Sequence, residues 1–360
     1  EAEDADLSDE HYAQALLDLE KAFETVPHEA LWHAARKHGY PLSVLRLALK
    51  AYVAPRVISC DGAFSRKVKA SRGITAGSGT ATAELRALLL DLIDELATEY
   101  PDVTTTFYVD DANLETRVPK PKLTPCPVGI SRRTHMQKAA ADNFKAAMTA
   151  CNRISGATTH IVRYFEEKLG MIVSAKKSKL LASSPALAKA AAGLVAGRKV
   201  TAAVQGNMLG FGTTAGKRRT MAQFQARVKK FAGKRKRIIT LRACGISSRE
   251  LTRAIAMPAI GYGLEATGIG NSRLHQLRGQ VVRAAHPGAA GGNLDCEWYA
   301  YDAADGTTTP PFRHIFSPST HCPWHGGSNG EPRVILAGPT APLAITSLPH
   351  PRTRDTSGHR

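Results

Sequence analysis

The chain has 360 residues, with 48 Lys and Arg against 31 Asp and Glu, a net charge of +17 and a pI near 9.8. Such a surplus predicts a polyanionic partner, because binding to a phosphate backbone is dominated by charge neutralisation and counterion release. No apolar stretch is long and uncharged enough to cross a membrane, and six scattered cysteines (Cys60, Cys126, Cys151, Cys244, Cys296 and Cys322) without a signal peptide imply free thiols in a reducing interior, nuclear or cytoplasmic rather than secreted.

The first ten residues are acidic, with Glu1, Glu3, Asp4, Asp6, Asp9 and Glu10. The apolar run Ala13-Gln14-Ala15-Leu16-Leu17-Asp18-Leu19 has strand length and carries Asp18 near its end. A helix pair is expected over 29–53, broken at Gly39-Tyr40-Pro41, then a hairpin over 57–68 around Asp61-Gly62. Residues 80–97 predict a long helix with Leu85, Leu88, Leu89, Leu92 and Ile93 on one apolar face. A strand over 103–107 leads into Tyr108-Val109-Asp110-Asp111 and a second short apolar stretch. A Pro-rich insertion at 118–128, a helix from about 135 to 169, strand segments at 171–174 and 180–181, and an Ala-rich helix over 185–196 follow. Residues 217–253 form a basic block, read as helix with Met221, Phe224, Val228 and Phe231 among the cations. After about residue 288, Gly, Pro, Thr and Ser dominate and periodicity vanishes, which reads as a disordered tail. His314, His321, Cys322 and His325 match no trusted zinc spacing.

Adjacent carboxylates at the tip of a tight hairpin repel, each disfavouring ionisation of the other, and a divalent cation removes that objection. A two-metal site needs further carboxylates, and Asp18 on a distant strand fits if the two elements lie side by side in one sheet.

The residues around these carboxylates resemble a known family. Asp18-Leu19-Glu20-Lys21-Ala22-Phe23-Glu24-Thr25-Val26-Pro27-His28 resembles the first palm motif of reverse transcriptases of non-LTR (LINE-type) retrotransposons, and Tyr108-Val109-Asp110-Asp111 resembles their catalytic YVDD hairpin. Arg72-Gly73-Ile74-Thr75-Ala76-Gly77-Ser78 is similar to the loop facing template and nucleotide. Leu169-Gly170-Met171-Ile172-Val173-Ser174 with Lys177-Ser178 is similar to the fourth motif, and Asn207-Met208-Leu209-Gly210 to the primer grip. Five motifs in order cover roughly residues 11–285. Two departures stand out: Ala76 where many members carry Gln, and Glu24 where Asp is commoner.

The resemblance implies an α+β right-hand polymerase: an antiparallel palm sheet packed on helices over 11–212 behind an acidic remnant (1–10), a basic helical thumb-like region over 213–287 and the tail over 288–360. It also implies that the chain is N-terminally truncated, with the fingers largely missing. It implies a nucleotidyltransferase, an RNA-directed DNA polymerase using dNTPs on an RNA template and DNA primer with two Mg²⁺ ions, Mn²⁺ being possible. Asp18, Asp110 and Asp111, with the backbone of Leu19, would hold the metal, and Lys177 would donate a proton to pyrophosphate, Lys176 and Lys179 being competitors. Phe23 would exclude the ribose 2′-hydroxyl, and Arg72, Gly73, Ala76 and Gly77 would face the nucleotide. Tyr108, Leu209, Gly210, Lys217, Arg218, Arg219, Arg227, Lys230, Lys234 and Arg235 would contact nucleic acid. Two alternatives stay open: a catalytically inactive nucleic-acid-binding relic, and an RNA-dependent RNA polymerase, against which Phe23 argues.

Overall fold

A computed structural model describes residues 2–216, 220–264 and 268–286. The basic residues Lys217, Arg218 and Arg219, the His and Cys cluster near 314–325 and the tail expected to be disordered lie outside these residues. The described residues fall into two compact units, one of 2–206 and 214–216, the other of 207–213, 220–264 and 268–286.

The first unit is α+β, with a five-stranded sheet in the order β4-β5-β1-β6-β7. Its strands are β1 (Glu10–Leu17), β4 (Val103–Tyr108), β5 (Asp111–Pro119), β6 (Lys179–Ala182) and β7 (Thr201–Ala202), antiparallel except for the β6–β7 pair. The central strand β1 is buried along most of its length. Ala13, Ala15 and Leu17 face the main core, while Tyr12 and Gln14 belong to the alternate face, as the two-residue period of a strand requires. On that second face the buried polar groups are paired: Tyr12 Oη donates to Glu115 Oε1 at 2.8 Å, and Gln14 Nε2 to Asn113 Oδ1 at 2.9 Å. The acidic N-terminus is built into the same region. Helix α1 (Ala2–Leu7) lies against β1, Asp4 pairs with Arg117 of β5, and Asp9 with Lys120.

Helices cover the main face. After the short α2 (Ala22–Thr25), α3 (His28–Lys37) and α4 (Leu42–Tyr52) form the expected pair, parted where Gly39 adopts a positive φ of 69°. Helix α5 (Ala81–Glu99) buries the expected stripe of Leu85, Leu88, Leu89 and Leu92. Helix α6 (Arg132–Arg163) packs on β1 and β5, buries Ile154 and Ile161, and ends in a π-helical turn, Tyr164–Lys168. Helix α7 (Pro185–Leu194) starts at Ser184, whose Oγ accepts from the Leu187 N–H at 3.2 Å, with Pro185 in the first turn, where its missing N–H costs nothing. A small hairpin, β2 (Ser59–Cys60) and β3 (Ala63–Phe64), stands as a sheet of its own.

One expected strand is absent: residues 171–174 make only a single bridge, Val173 to Leu19. The segment pairs antiparallel with the residues just past the end of β1 through that one rung and goes no further. Leu114 lies fully buried in the core, paired with Ala15 of β1 and Thr105 of β4. Leu114→Ala is expected to destabilise the first unit by about 3 kcal/mol, the usual cost of a truncated core leucine, read as a lower denaturant midpoint at unchanged slope.

The second unit holds most of the β8 (Gln205–Met208) and β9 (Phe211–Thr214) hairpin and helices α8 (Ala222–Ala243), α9 (Ser248–Gly261) and α10 (Asn271–Ala285). On α8 the buried residues Phe224, Phe231 and Ile238 recur every seven positions, so one stripe faces Ile260, Leu264, Leu274 and Leu277. The basic block is thus two helices, α8 and the start of α9, separated by a turn at Gly245 with φ 81°.

Candidate active site at the ends of β1, β4 and β5

The β1–β5 register places the carboxylates. Leu17 pairs with Ala112 as the last rung, so Asp18 and Asp111 stand one step further along the same antiparallel pair. Tyr108 pairs with Asp111, which leaves Val109 and Asp110 as a two-residue turn between β4 and β5. Val109 has φ 60°, an outlier for a β-branched residue and a type of strain that clusters at functional sites.

Burial first, and the Asp18 charge beyond it, push the Asp110 carboxyl above its usual range. Burial raises Asp111 likewise, helped by Asp110 and then Asp18. The opposing charge comes from Lys177, whose Nζ donates to both Asp18 oxygens, at 3.0 and 3.2 Å. That hydrogen bond, with the Asp18 charge, holds the Lys177 ammonium above its ordinary pKa.

The backbone of the Asp18 segment is pinned from 172–178. The Glu20 N–H donates to Ile172 O and the Ser174 N–H to Asp18 O, both at 2.8 Å, and the Asp18 N–H donates to Ser178 Oγ at 3.2 Å. Ser178 is fully buried. It is a positioning residue that sequence reasoning missed, although it stands beside Lys177 in the same motif. Lys176 carries no contact to the carboxylates, and Lys179 donates to Thr201 Oγ1 at 2.8 Å.

Phe23 is half-buried and packs on the main core. The loop expected to face the nucleotide is strapped to the Phe23 segment: the Gly73 N–H donates to Val26 O at 2.8 Å and the Ile74 N–H to Phe23 O at 2.7 Å. His28 Nε2 lies 2.6 Å from Gly73 O, a contact that no sequence pattern announces. Gly73 has φ 94°, and a Cβ there would meet Glu24 O at 2.6 Å, so its need for glycine comes from the chain's own backbone. Arg72 is engaged within the protein too, its Nη2 donating to Leu169 O at 2.7 Å and Gly170 O at 3.2 Å. Ala76 and Gly77 are exposed, Gly77 at φ 86° with open space beside it. Tyr108 is exposed at the end of β4.

In the second unit, Leu209 (φ 48°) and Gly210 (φ 82°) form the tight turn between β8 and β9. Tyr262 Oη donates to Leu209 O at 2.5 Å, and Arg227 donates to Gly210 O while its guanidinium stacks 5.0 Å from the Tyr262 ring centroid. Arg227, expected on nucleic acid, is thus held against this turn. Lys230 and Lys234 are exposed on α8, and Arg235 is half-buried.

The donor set of Asp18, Asp110 and Asp111 fits a hard divalent cation by its chemistry: oxygen ligands only, mutually repelling, two of them pushed toward protonation by burial and by the neighbouring carboxylates. As they stand, no three His, Cys, Asp or Glu side chains among the described residues are grouped to hold a metal ion, and the Asp18 carboxylate is shared with Lys177. Among the described residues no helix is long and apolar enough to cross a membrane.

No protein-family model matches the chain, and no curated protein does. Among solved structures it is similar to a telomerase from Candida tropicalis in complex with a TWJ fragment of telomeric RNA, at 11% identity and a TM-score of 0.35, covering 85% of this chain and 48% of that one. An apo telomerase from Candida tropicalis gives 10% and 0.35 over 81% and 50%, and a telomerase from Candida albicans with a TWJ fragment of telomeric RNA gives 10% and 0.34 over 85% and 50%. The chain thus spans half or less of the length of these structures.

Proposed function

We propose that this chain carries the palm and thumb of an RNA-directed DNA polymerase of retroelement origin, extending a DNA primer on an RNA template from dNTPs. The observation that carries the reading is the strand register, which brings Asp18 past the end of β1 and Asp110 and Asp111 at the β4–β5 turn to one edge of one sheet. Partly buried carboxylates that outnumber their one lysine partner are costly to a fold, and sites that take a cationic ligand are where such an arrangement is found. Asp18, Asp110 and Asp111, with the Leu19 carbonyl, would hold two Mg²⁺ or Mn²⁺ ions, whose chemistry when bound is activation of the primer 3′-hydroxyl and neutralisation of pyrophosphate charge.

The remaining roles belong to the protein's own groups. The 172–178 segment and Ser178 keep Asp18 at the strand end. Lys177, exposed and protonated, is the candidate donor to the leaving pyrophosphate and must leave Asp18 to act. Phe23, tied by its carbonyl to Ile74, would stand against the sugar and reject a 2′-hydroxyl. The exposed cations of α8, Lys230 and Lys234, would bind the duplex by phosphate contacts. A second reading, a nucleic-acid-binding relic in which the palm fold and the basic helices persist without turnover, is the alternative.

Primer extension on an RNA template, with dNTPs or rNTPs and Mg²⁺, separates these readings. Incorporation of dNTPs over rNTPs is expected; salt-sensitive duplex binding without incorporation would favour the relic, and preference for rNTPs the RNA polymerase. Phe23→Ala is expected to raise ribonucleotide use relative to deoxynucleotide by roughly 10–100-fold, the span a single steric contact provides, measured as the ratio of the two kcat/KM values.

A further inference from the structure

The β2–β3 hairpin has no part in the site described above. Its turn is Asp61-Gly62, with φ 48° and 82°, and its legs are joined by Ser59–Phe64 and Cys60–Ala63 pairing and by mutual Arg56–Val68 backbone hydrogen bonds of 2.8 Å. Every residue over 53–69 is exposed. Phe64 is 75% exposed, Ile58 68% and Val68 54%. A two-stranded ribbon is marginal in water by itself, and so much uncovered apolar surface on it marks a docking site.

Charge selects the occupant. Arg56, Arg66, Lys67 and Lys69 flank these apolar residues, with Asp61 the only acid over 53–69. Among the described residues no carboxylate forms an ion pair with Arg66, Lys67 or Lys69. Protein interfaces deplete lysine at their centres, whereas single strands are held by a cationic track with an aromatic ring on which a base stacks. Phe64 shares its face with Ser59, too small to cover the ring.

We infer that the β2–β3 hairpin is a docking site for single-stranded RNA, a base stacking on Phe64 and phosphates lying along Arg66, Lys67 and Lys69. This rests on the reading above, in which RNA is the strand left unpaired.

The test is fluorescence anisotropy of a labelled single-stranded RNA with the full chain, wild type against Phe64→Ala, Phe64→Trp and the double variant Arg66→Ala/Lys67→Ala. Phe64→Ala is expected to weaken binding about 10-fold, within the range for removing one stacked base, and Phe64→Trp to restore it with quenching of its emission. The double variant should lower the slope of log affinity against log salt by about 0.7 for each phosphate that is no longer neutralised. Unchanged affinity in Phe64→Ala overturns the proposal. So does tighter binding of an equivalent single-stranded DNA, or a Phe64 effect confined to self-association in sedimentation. Failure of primer extension with Phe64-dependent RNA binding intact would remove the polymerase reading and leave the hairpin site standing; polymerase activity with Phe64 silent would do the reverse.

Discussion

Asp110→Asn is expected to lower primer extension by roughly a thousandfold, the order of loss for removing one charged ligand from a phosphoryl-transfer site, while making the protein more stable at neutral pH. Burial and the Asp18 charge raise the Asp110 carboxyl above its ordinary 3.8 in the folded state. The folded chain therefore holds that proton more tightly than the unfolded chain. Its contribution to stability is complete below pH 3.8 and is lost as pH rises through the folded value. At pH 7.5 the ionised group opposes folding, and asparagine keeps the shape without the charge. Asp111, raised for the same reasons, gains as well, because after burial the Asp110 charge is what disfavours its ionisation most. Thermal unfolding of both proteins at pH 4 and pH 7.5 checks this. A unit of this size gains about 2–4 °C for each kcal/mol, and the gap in favour of Asp110→Asn should narrow at pH 4. Added Mg²⁺ should raise the wild-type midpoint more than that of the variant, as a ligand bound only by the folded state must. A variant less stable than wild type at pH 7.5 would mean that the carboxylate is held by attraction, and unchanged extension would remove Asp110 from the reaction.

Gly73→Ala is expected to cost about 3 kcal/mol or more, combining a left-handed backbone with a contact that cannot relax. The new Cβ would lie 2.6 Å from Glu24 O and 2.9 Å from Glu24 C, both backbone atoms, at φ 94°. Relief requires the loop to lift away, which breaks the Gly73–Val26 and Ile74–Phe23 hydrogen bonds and the His28 contact. The Phe23 segment loses its restraint with them, so discrimination against ribonucleotides should fall along with the unfolding midpoint. Gly77→Ala is the control. Its φ is 86° but nothing lies within 4 Å of the added methyl, so only the conformational penalty of about 1–2 kcal/mol applies. Equal midpoints for the two variants would show that the strap between 73–74 and 23–26 is not closed in solution.

The elements that could be read directly are those whose cause is local. Asp61-Gly62 supplies two positive φ values in succession, and a hairpin forms around them. Ser184 and Pro185 open α7 where an N-cap and a first-turn proline belong. The leucine stripe of α5 and the apolar run of β1 carry their periods openly. The segment 171–174 misled because its apolar alternation is real, with Met171 and Val173 buried and Ile172 exposed, but its pairing stops after the one rung Val173–Leu19 beyond the end of β1.

Asp18, Asp110 and Asp111 stand out in the sequence as candidates, because acids at a strand end and a hairpin tip run against local stability, and the register places them at one sheet edge. Their surroundings were not. Lys177 reaches Asp18 across 159 positions, Arg72 meets Leu169 across 97, and His28 meets Gly73 across 45. No period or dipeptide marks such pairs, and a lysine in Lys176-Lys177-Ser178-Lys179 has the same local chemistry as its neighbours. The sequence alone determined the α+β class, the turns, the helix stripes and the identity of the acidic residues, since backbone sterics and apolar periodicity act over a few residues. Only the tertiary structure decided which lysine neutralises Asp18, which backbone carbonyls Arg72 and Arg227 bond, and that Gly73 is required by Glu24, because those outcomes depend on which distant backbones the packed core brings within hydrogen-bonding reach.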